Sequence, residues 1–201
     1  MYRVTDLVTG PDGLPRCAWG ASTPDYALYH DTEWGRPLRG DDALYERLTL
    51  EAFQSGLSWL TILRKRPAFR LAFADFRIER VATYGEADVT RLLADAGIVR
   101  NRAKIEAAIA NARAALALPD GLSALLWSHA PPPRPARLGS FAEVPATTPE
   151  STALAKALKK QGFRFVGPTT AYALMQATGM VDDHLAGCHA GTAGARDGMG
   201  S

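Results

Sequence analysis

The chain has 201 residues, of which 47% are hydrophobic and 22% charged, and its formal net charge is +2. This composition predicts one globular domain, or two small lobes sharing a core, and so small a charge does not by itself indicate a polyanionic partner. No run approaches the roughly twenty apolar residues of a membrane span, and the N-terminus lacks the apolar centre of a signal peptide, so we expect a cytoplasmic protein with no membrane partner. The two cysteines, Cys17 and Cys188, argue against a disulfide scaffold and are too few for a four-cysteine iron–sulfur cluster built from this chain alone.

The first elements in chain order are a loose segment and a helix. Residues 1–15 contain glycines and prolines without an apolar period, so we expect a flexible extension ahead of one folded domain over residues 16–189. Thr23 followed by Pro24 is typical of a helix start, with an N-cap and proline at the first helical position. One face of the helix that begins there carries Tyr26, Tyr29 and His30.

The second helix contains an anomaly. Gly35 and Pro37 end the first helix, and Asp41 is placed to cap the second. One inward stripe of this second helix consists of Leu44, Leu48, Glu51 and Ser55. A carboxylate stands where a hydrophobic residue is expected, and it needs a partner because desolvating its charge is costly.

Helical signals continue to the C-terminal region, and no strand-like alternation is convincing. Further helices are predicted over residues 57–66 (ending at Pro67), 67–73, 86–96 and 101–116, and from Pro149. The proline-rich residues 131–139 form a stiff connector, and a glycine turn over 162–167 leads into a last helix. Residues 190–201 are glycine-rich and are predicted to be disordered. The sequence therefore predicts an all-α fold.

Two cysteines and two histidines form a candidate metal site, with one pair near each end of the chain: Cys17, His30, His184 and Cys188. Two thiolates and two imidazoles suit a tetrahedral zinc ion with no open position, which is typical of a structural site. Spacing alone equally allows two buried free cysteines and two surface histidines.

Two glycine turns, residues 95–105 and 162–171, each lead into a helix. The backbone N–H groups at such a helix start attract anions such as phosphates. Basic side chains accompany both turns, namely Arg100, Arg102, Lys104, Lys159, Lys160 and Arg164. This arrangement favours contact with a phosphate backbone. Charge alone favours the alternative, in which the glycines only separate helices and the lysines and arginines are solvated.

Aromatic residues near Glu51 in the sequence suggest what its carboxylate does. Tyr26, Tyr29, Trp34 and Trp59 surround it, and a carboxylate among aromatic rings suits a planar, nitrogen-rich ligand. The alternatives are that the aromatic residues are core and that Glu51 is a structural carboxylate accepting from backbone amides or tyrosine hydroxyls.

Several long segments together carry a family resemblance: RCAW (16–19), DYALYHDTEWG (25–35), LEAFQSGLSWLTILRKR (50–66), DAGIVRNRAKIEAAIANARA (95–114), ALAKALKK (153–160) and GFRFVGPTTAYALMQATGMVDDH (162–184). They resemble the DNA-3-methyladenine glycosylase I family, an all-helical branch of the helix-hairpin-helix glycosylases. The resemblance extends over nearly everything from Arg16 to Cys188, and it implies that family's fold for this chain.

The resemblance implies a role for each set of residues. One structural zinc per chain would be bound by Cys17, His30, His184 and Cys188. The base pocket would hold Glu51 as the catalytic residue, with base contacts from Tyr26, Tyr29, Trp59, Trp19 and Trp34. The DNA would be contacted by Gly56, Leu57, Gly97, Arg100, Arg102, Lys104, Lys160, Arg164 and Gly167. Leu57 is the candidate wedge for the space that a flipped base leaves, and simple core is its alternative.

The implied reaction is hydrolysis of the N-glycosidic bond of 3-methyladenine in double-stranded DNA, which leaves an abasic site. No lyase step and no obligate protein partner are implied, and a monomer is expected. Methylation makes the base cationic, so it leaves as a neutral molecule and needs less acid catalysis. The family typically has Asn at the position of Asp182, where related glycosylases carry a catalytic Asp. We expect Asp182 to act as a cap, as Asn would.

Two other functions remain open at this point. A catalytically silent binder of alkylated DNA would keep the pocket and both glycine turns, and base release from methylated DNA separates it from the enzyme. A zinc-stabilised module without nucleic acid would leave Glu51 and the basic turns without a purpose.

Overall fold

The computed structural model describes residues 6–191 of the chain. Helices dominate this range: α1 Pro24–Thr32, α2 Asp41–Gln54, α3 Trp59–Ala72, α4 Ile78–Val81, α5 Glu86–Ala94, α6 Arg102–Leu116, α7 Gly121–Trp127, α8 Pro149–Lys160 and α9 Pro168–Ala177. Short 3-10 turns lie at Ala74–Phe76 and Phe141–Glu143. The fold is thus mostly helical, and no helix within residues 6–191 is both long and apolar enough to cross a membrane.

Two short strands precede the helices. Strands β1 (Leu7–Thr9) and β2 (Pro15–Cys17) pair antiparallel, with Leu7 opposite Cys17. The prediction that this part of the chain has no strands is wrong, because three-residue strands are too short to show an alternating pattern. The buried Arg16 fastens β2 by donating to the carboxylates of Asp12 and Asp31, at 2.5 and 2.7 Å from its Nη2 atom.

The chain divides into two compact units. Within the described residues the first, here called the terminal unit, comprises residues 6–37, Pro131–Ala146 and residues 175–191. The second, here called the helical unit, comprises Leu38–Ala130 and Thr147–Leu174. The predicted disorder over residues 190–201 falls mainly on residues 192–201, outside the described range, whereas Ala190 is buried and its carbonyl accepts a 2.9 Å hydrogen bond from Arg137.

Helix α2 is central to the helical unit. It packs against α3, α6 and α7, while α6 also packs against α4 and α5. The hydroxyl of the fully buried Tyr45 donates to the carbonyl of Ala108 over 2.8 Å, which ties α2 to α6. A series of fully buried phenylalanines continues this core, at positions 53, 69, 73 and 76. Each such side chain stabilises the unit by roughly 1.5–3 kcal/mol.

Local capping signals locate several helix ends correctly. Thr23, Asn101 and Thr148 accept hydrogen bonds from backbone amides of the helices that follow them, so the predicted starts of α1, α6 and α8 are confirmed. The predicted break at Pro67 is wrong, because α3 runs through it. Ile62 and Phe69 are fully buried on either side of Pro67, and their packing offsets the roughly 3 kcal/mol that an interior proline costs.

Asp41 caps a different helix from the one that the sequence predicts. Gly40 is the N-cap of α2, and Asp41 is the first residue of that helix. Its two carboxylate oxygens instead accept from the amides of Leu122 and Ser123, at 3.0 and 2.8 Å. Asp41 therefore satisfies the free N–H groups at the start of α7, a helix that the sequence analysis does not predict.

We expect Asp41→Ala to lower the free energy of unfolding by about 1–2 kcal/mol, because it leaves two amides of α7 without their acceptor. Equilibrium urea unfolding measures this change. Glu79→Ala, an exposed acidic residue in the first turn of α4, is the control. Equal stabilities of the two variants would contradict this assignment.

Candidate functional site

Four buried side chains of the terminal unit converge on one point. Cys17 at the end of β2, His30 on α1, and His184 and Cys188 after α9 each offer one ligand atom, and these atoms all lie within 4.8 Å of one another. The Cys188 sulfur is 3.4 Å from His30 Nε2 and 3.7 Å from His184 Nδ1. The predicted grouping is confirmed in space, and the cluster can hold a metal ion.

The outer sides of both imidazoles are also fixed. His30 Nδ1 lies 2.8 Å from a carboxylate oxygen of Asp31, and His184 Nε2 lies 3.1 Å from the carbonyl oxygen of Trp34. These outer oxygens can each accept a ring N–H, which is the arrangement in which the inner nitrogen of an imidazole binds a metal. Gly35 has φ +74°, and a Cβ there would lie 2.9 Å from His184 Nε2, so the ring needs glycine at this position.

The two thiols of the cluster interact directly. Their mutual hydrogen bond raises the pKa of Cys17 and lowers the pKa of Cys188, whose thiolate the two histidines also favour. A metal ion bound to both sulfurs would displace the protons of these thiols.

The segment that carries His184 and Cys188 is held by the proline-rich connector. Arg134 donates to the buried carboxylate of Asp183, and Arg137 Nε donates to Asp182 over 3.2 Å. Asp182 also accepts from the backbone amide of His184 at 3.0 Å, although no helix begins there, so this is a local turn contact and not the predicted helix cap. Sequence reasoning missed both arginines, because nothing local indicates that residues 131–139 meet residues 182–190.

The aromatic residues of the terminal unit pack around the cluster. The rings of Trp19 and Trp34 are 4.9 Å apart, and the Trp34 ring is 4.6 Å from His184. Tyr29 and Trp34 are buried, whereas Tyr26 is half-buried and meets Trp19 edge to face at 5.5 Å. Trp19 and Trp34, predicted as base contacts, thus lie against the cluster and enclose it.

Glu51 is the buried carboxylate of the helical unit. It is 6% exposed and lines a pocket with Leu48, Leu158, Val166, Thr170, Ala171 and Leu174. Its predicted burial is confirmed, but Ser55 is exposed, so the inward stripe ends at Glu51. The pocket is apolar apart from this carboxyl and a threonine, which is the environment in which a charge interacts most strongly with another charge.

The pocket changes the acidity of Glu51. Desolvation raises the pKa of the carboxyl to about 7, against the opposing effect of the positive charge on Arg47. Near neutral pH the carboxyl therefore exists in both protonation states. Perturbed acids in clefts are frequent at functional sites.

Leu57 lies on the turn between α2 and α3, and Trp59 follows it at the start of α3. Gly56 has φ +82°, which favours glycine, and the Leu57 side chain after it is 41% exposed. This exposure excludes the alternative that Leu57 is core. Trp59 begins α3 and is half-buried.

Two residues of the first glycine turn make hydrogen bonds within the protein. Gly97 donates its N–H to Asp95 over 2.7 Å, so this amide is already used within the turn. Lys104 is 8% exposed, and its ammonium donates to backbone carbonyls of Phe53 and Ser55 instead of facing solvent. The Lys104 side chain therefore has a structural role instead of the predicted phosphate contact, whereas the DNA contact of Gly97 stays a prediction. Arg100 and Arg102 are exposed, and Arg102 pairs with Glu86 and Glu106.

The second glycine turn keeps its basic residues in solvent. Lys159, Lys160 and Arg164 are exposed, and Gly167 is half-buried. The side-chain amide of Asn111, on α6, accepts from the Arg164 amide at 2.7 Å and donates to the Arg164 carbonyl at 3.1 Å. Asn111 thus shapes this turn, and sequence reasoning missed it although an amide on a helix face rich in alanine was a detectable signal.

Comparison with known proteins identifies the class. The family description "Methyladenine glycosylase" matches residues 19–191, and the chain belongs to this family. DNA-3-methyladenine glycosylase 1 of Escherichia coli K12 is 45% identical over 179 residues, which cover 87% of this chain and 96% of that protein. DNA-3-methyladenine glycosylase of Haemophilus influenzae is 42% identical over 179 residues, covering 86% and 96%. The resemblance found in the sequence is confirmed.

Solved structures agree with this assignment. A crystal structure of 3-methyladenine DNA glycosylase I superposes with a TM-score of 0.84 at 45% identity, covering 88% of this chain and all of that one. The Staphylococcus aureus enzyme, solved to explain its recognition of 3-methyladenine, gives a TM-score of 0.81 at 37% identity, covering 87% and 95%. The mostly helical fold is therefore that of this family.

The raised pKa of Glu51 predicts a pH-dependent stability. From about pH 4.5, the ordinary pKa of the group, up to about pH 7, the unfolded chain releases the proton while the folded chain retains it, so stability falls as pH rises. The full loss is about 3 kcal/mol. We expect Glu51→Gln to be more stable than the natural protein at pH 8 and to match it near pH 4. Thermal unfolding of both proteins across this range measures the difference in stability. A difference in stability that is the same at all pH values would contradict the prediction.

Proposed function

We propose that this chain is a DNA glycosylase that hydrolyses the N-glycosidic bond of 3-methyladenine in double-stranded DNA, releasing the base and leaving an abasic site. The observation that carries this proposal is the carboxyl of Glu51 in an apolar pocket, on the fold of this family. The relatives named for this activity, and the neighbour solved to explain 3-methyladenine recognition, support it.

The charge on Glu51 explains why a cationic base would be selected. In an apolar pocket a carboxylate is poorly solvated, so a positively charged purine that brings N–H donors restores the interactions that water would give. An uncharged base offers no such charge and adds nothing to offset the desolvation of the carboxylate. The pocket would thereby favour 3-methyladenine over normal purines without any protonation step.

The chemical step needs little assistance from the protein. Water forms a bond to the sugar C1′ and gives up a proton to solvent, while the electron pair of the breaking N-glycosidic bond neutralises the positive charge of the departing base. Glu51 holds and orients the base during this step. The half-exposed Leu57 would occupy the space that the flipped nucleotide leaves, as apolar side chains do at unstacked base steps.

The remaining predicted contacts are proposed on the strength of the family resemblance. Base contacts are assigned to Tyr26, Tyr29, Trp59, Trp19 and Trp34. Phosphate contacts are assigned to Gly56, Gly97, Arg100, Arg102, Lys160, Arg164 and Gly167. Helices α8 and α9 with the turn between them would form the helix-hairpin-helix element, whose exposed basic side chains support backbone contact. We also propose a cytoplasmic protein that acts as a monomer.

The metal that fits the Cys/His cluster best is zinc. Two sulfurs and two imidazole nitrogens, all buried and with their outer partners in place, match a closed structural site. Cys17, His30, His184 and Cys188 would be the ligands. Bound zinc would tie β2 and α1 to the segment after α9, and it would contribute to folding instead of chemistry.

Incubation with methylated duplex DNA tests the function directly. We expect free 3-methyladenine to appear in the soluble fraction on chromatography, with abasic sites left in the DNA. Tight binding of methylated DNA without release of any base would instead identify a silent binder of alkylated DNA.

Two acidic residues should behave differently in this assay. We expect Glu51→Ala to lose most of the single-turnover excision rate, because it removes the carboxylate of the pocket. Asp182→Asn should keep most of it, since asparagine can still accept from the His184 amide. A collapse of the Asp182→Asn rate with metal content and folding intact would show that Asp182 takes part in the chemistry.

The zinc assignment predicts one zinc ion per chain in the purified protein. Cys188→Ser should lose the metal and lower the melting temperature, because the serine hydroxyl is a poor zinc ligand. His129→Ala, which changes a histidine outside the cluster, should alter neither. Metal analysis by mass spectrometry together with thermal unfolding decides the matter, and a Cys188→Ser protein that retains its zinc would refute the assignment.

A further inference from the structure

A buried lysine holds the end of the helix that carries Glu51. Lys104 lies in the first turn of α6 and is 8% exposed. Its Nζ atom donates to the carbonyl oxygen of Phe53 over 2.9 Å and to that of Ser55 over 2.5 Å. Two of the three ammonium donors are thus used by backbone carbonyls at the end of α2. Desolvation lowers the pKa of this lysine, which is the expected effect of such burial.

The carbonyls that Lys104 binds are ones that a helix end leaves without partners. Helix α2 ends at Gln54, so the last carbonyls have no amide ahead of them within the helix. A cation at this end also interacts favourably with the helix dipole. Lys104 therefore stabilises one particular termination of α2.

This termination sets the position of the Gly56–Leu57 turn. Directly after the held carbonyls the chain reverses at Gly56, with φ +82°, and Leu57 donates its amide to the Gln54 carbonyl over 2.6 Å. Leu57 leaves this turn half-exposed, and Glu51 lies one helical turn before Ser55. The segment after α2 follows the pocket carboxylate of Glu51 and carries the exposed Leu57. The Lys104 ammonium connects this segment to the start of α6.

We propose that Lys104 is a positioning residue for base excision: its ammonium fixes the end of α2 and the Gly56–Leu57 turn, so that Leu57 enters the duplex in register with Glu51. The excision part of this proposal rests on the proposed glycosylase function. The part that concerns the turn itself does not, since it follows from the two hydrogen bonds alone.

The competing role for Lys104 is a direct phosphate contact, as its place among basic residues suggests. Each phosphate contact adds about 0.9 to the slope of binding affinity against salt concentration on logarithmic axes. A positioning residue that faces backbone carbonyls contributes nothing to that slope. Salt dependence therefore separates the two roles.

Two variants of Lys104 test the proposal against two controls. Lys104→Met removes the N–H donors and the charge, while Lys104→Gln keeps two N–H donors without a charge. The glutamine variant also replaces the methionine variant in these experiments if the latter does not fold. Arg102→Met, two residues away and exposed, controls for loss of a nearby charge in the measurements without DNA. Lys160→Ala, a proposed phosphate contact on the other turn, shows what a lost phosphate contact does to the salt slope.

Hydrogen exchange of the protein without DNA tests the first part. Amides of residues 54–58 should exchange at least about tenfold faster in Lys104→Met than in the natural protein, because the turn opens more often once its hold is lost. Arg102→Met should not change them. Unchanged exchange in Lys104→Met overturns the proposal whether or not the chain is an enzyme.

Excision kinetics and binding test the second part. Lys104→Met should lower the single-turnover rate by about ten- to a hundredfold, the effect of a small misplacement at a reacting site, with a salt slope equal to that of the natural protein. Lys104→Gln should recover part of the rate. A slope reduced as in Lys160→Ala would show a phosphate contact and overturn the proposal.

A double-mutant cycle with Leu57→Ala asks whether Lys104 acts through this leucine. We expect Lys104→Met to slow the Leu57→Ala protein much less than it slows the natural one, since the residue to be positioned is already missing. Additive effects on the rate would overturn the proposal. If the natural protein releases no base, the proposed function fails instead, and the hydrogen-exchange result still decides the role of Lys104 in the turn.

Discussion

The constraint on which the helical unit depends is the desolvation of one carboxyl group. Glu51 stands on α2 in a pocket whose other walls come from α8, α9 and the turn before α9, and these walls hold its pKa at about 7. The apolar surroundings weaken the folded state once the carboxyl ionises. The same surroundings make the ionised carboxyl bind a cation strongly. Stability and recognition therefore place opposite demands on this residue.

Helix α6 meets those demands by fixing the backbone around the pocket. In its first turn, Lys104 donates to a carbonyl at the end of α2, and in its middle the Ala108 carbonyl accepts from the Tyr45 hydroxyl. Further along, Asn111 accepts from the Arg164 amide in the turn before α9. One helix thus sets both backbone segments that flank the pocket. A carboxyl that gains nothing from burial stays buried because its neighbours are held by contacts of their own.

Local signals in the sequence were enough for features that depend on neighbouring residues. Thr23 and Asn101 cap helices because each side chain accepts a hydrogen bond from a backbone amide only three residues further along the chain. Features set by distant residues were not accessible in this way. The helix through Pro67 depends on core packing, and Asp41 caps residues more than eighty positions away. The Cys/His cluster is an intermediate case, since one half was visible as a spacing of four and its union with the other half required the family resemblance.

Lys104 shows that some misassigned residues carried a usable signal. Lys104 and Lys160 are both basic and lie near glycine turns, yet Lys104 is buried and Lys160 is exposed. On α6 the positions four, seven and eight after Lys104 are Ala108, Asn111 and Ala112, all buried on the same face. A charged residue in an apolar stripe is the same anomaly that singles out Glu51 on α2. The position of Lys104 on the same helix face as these buried residues therefore predicts, from the amino-acid sequence alone, that its side chain is buried.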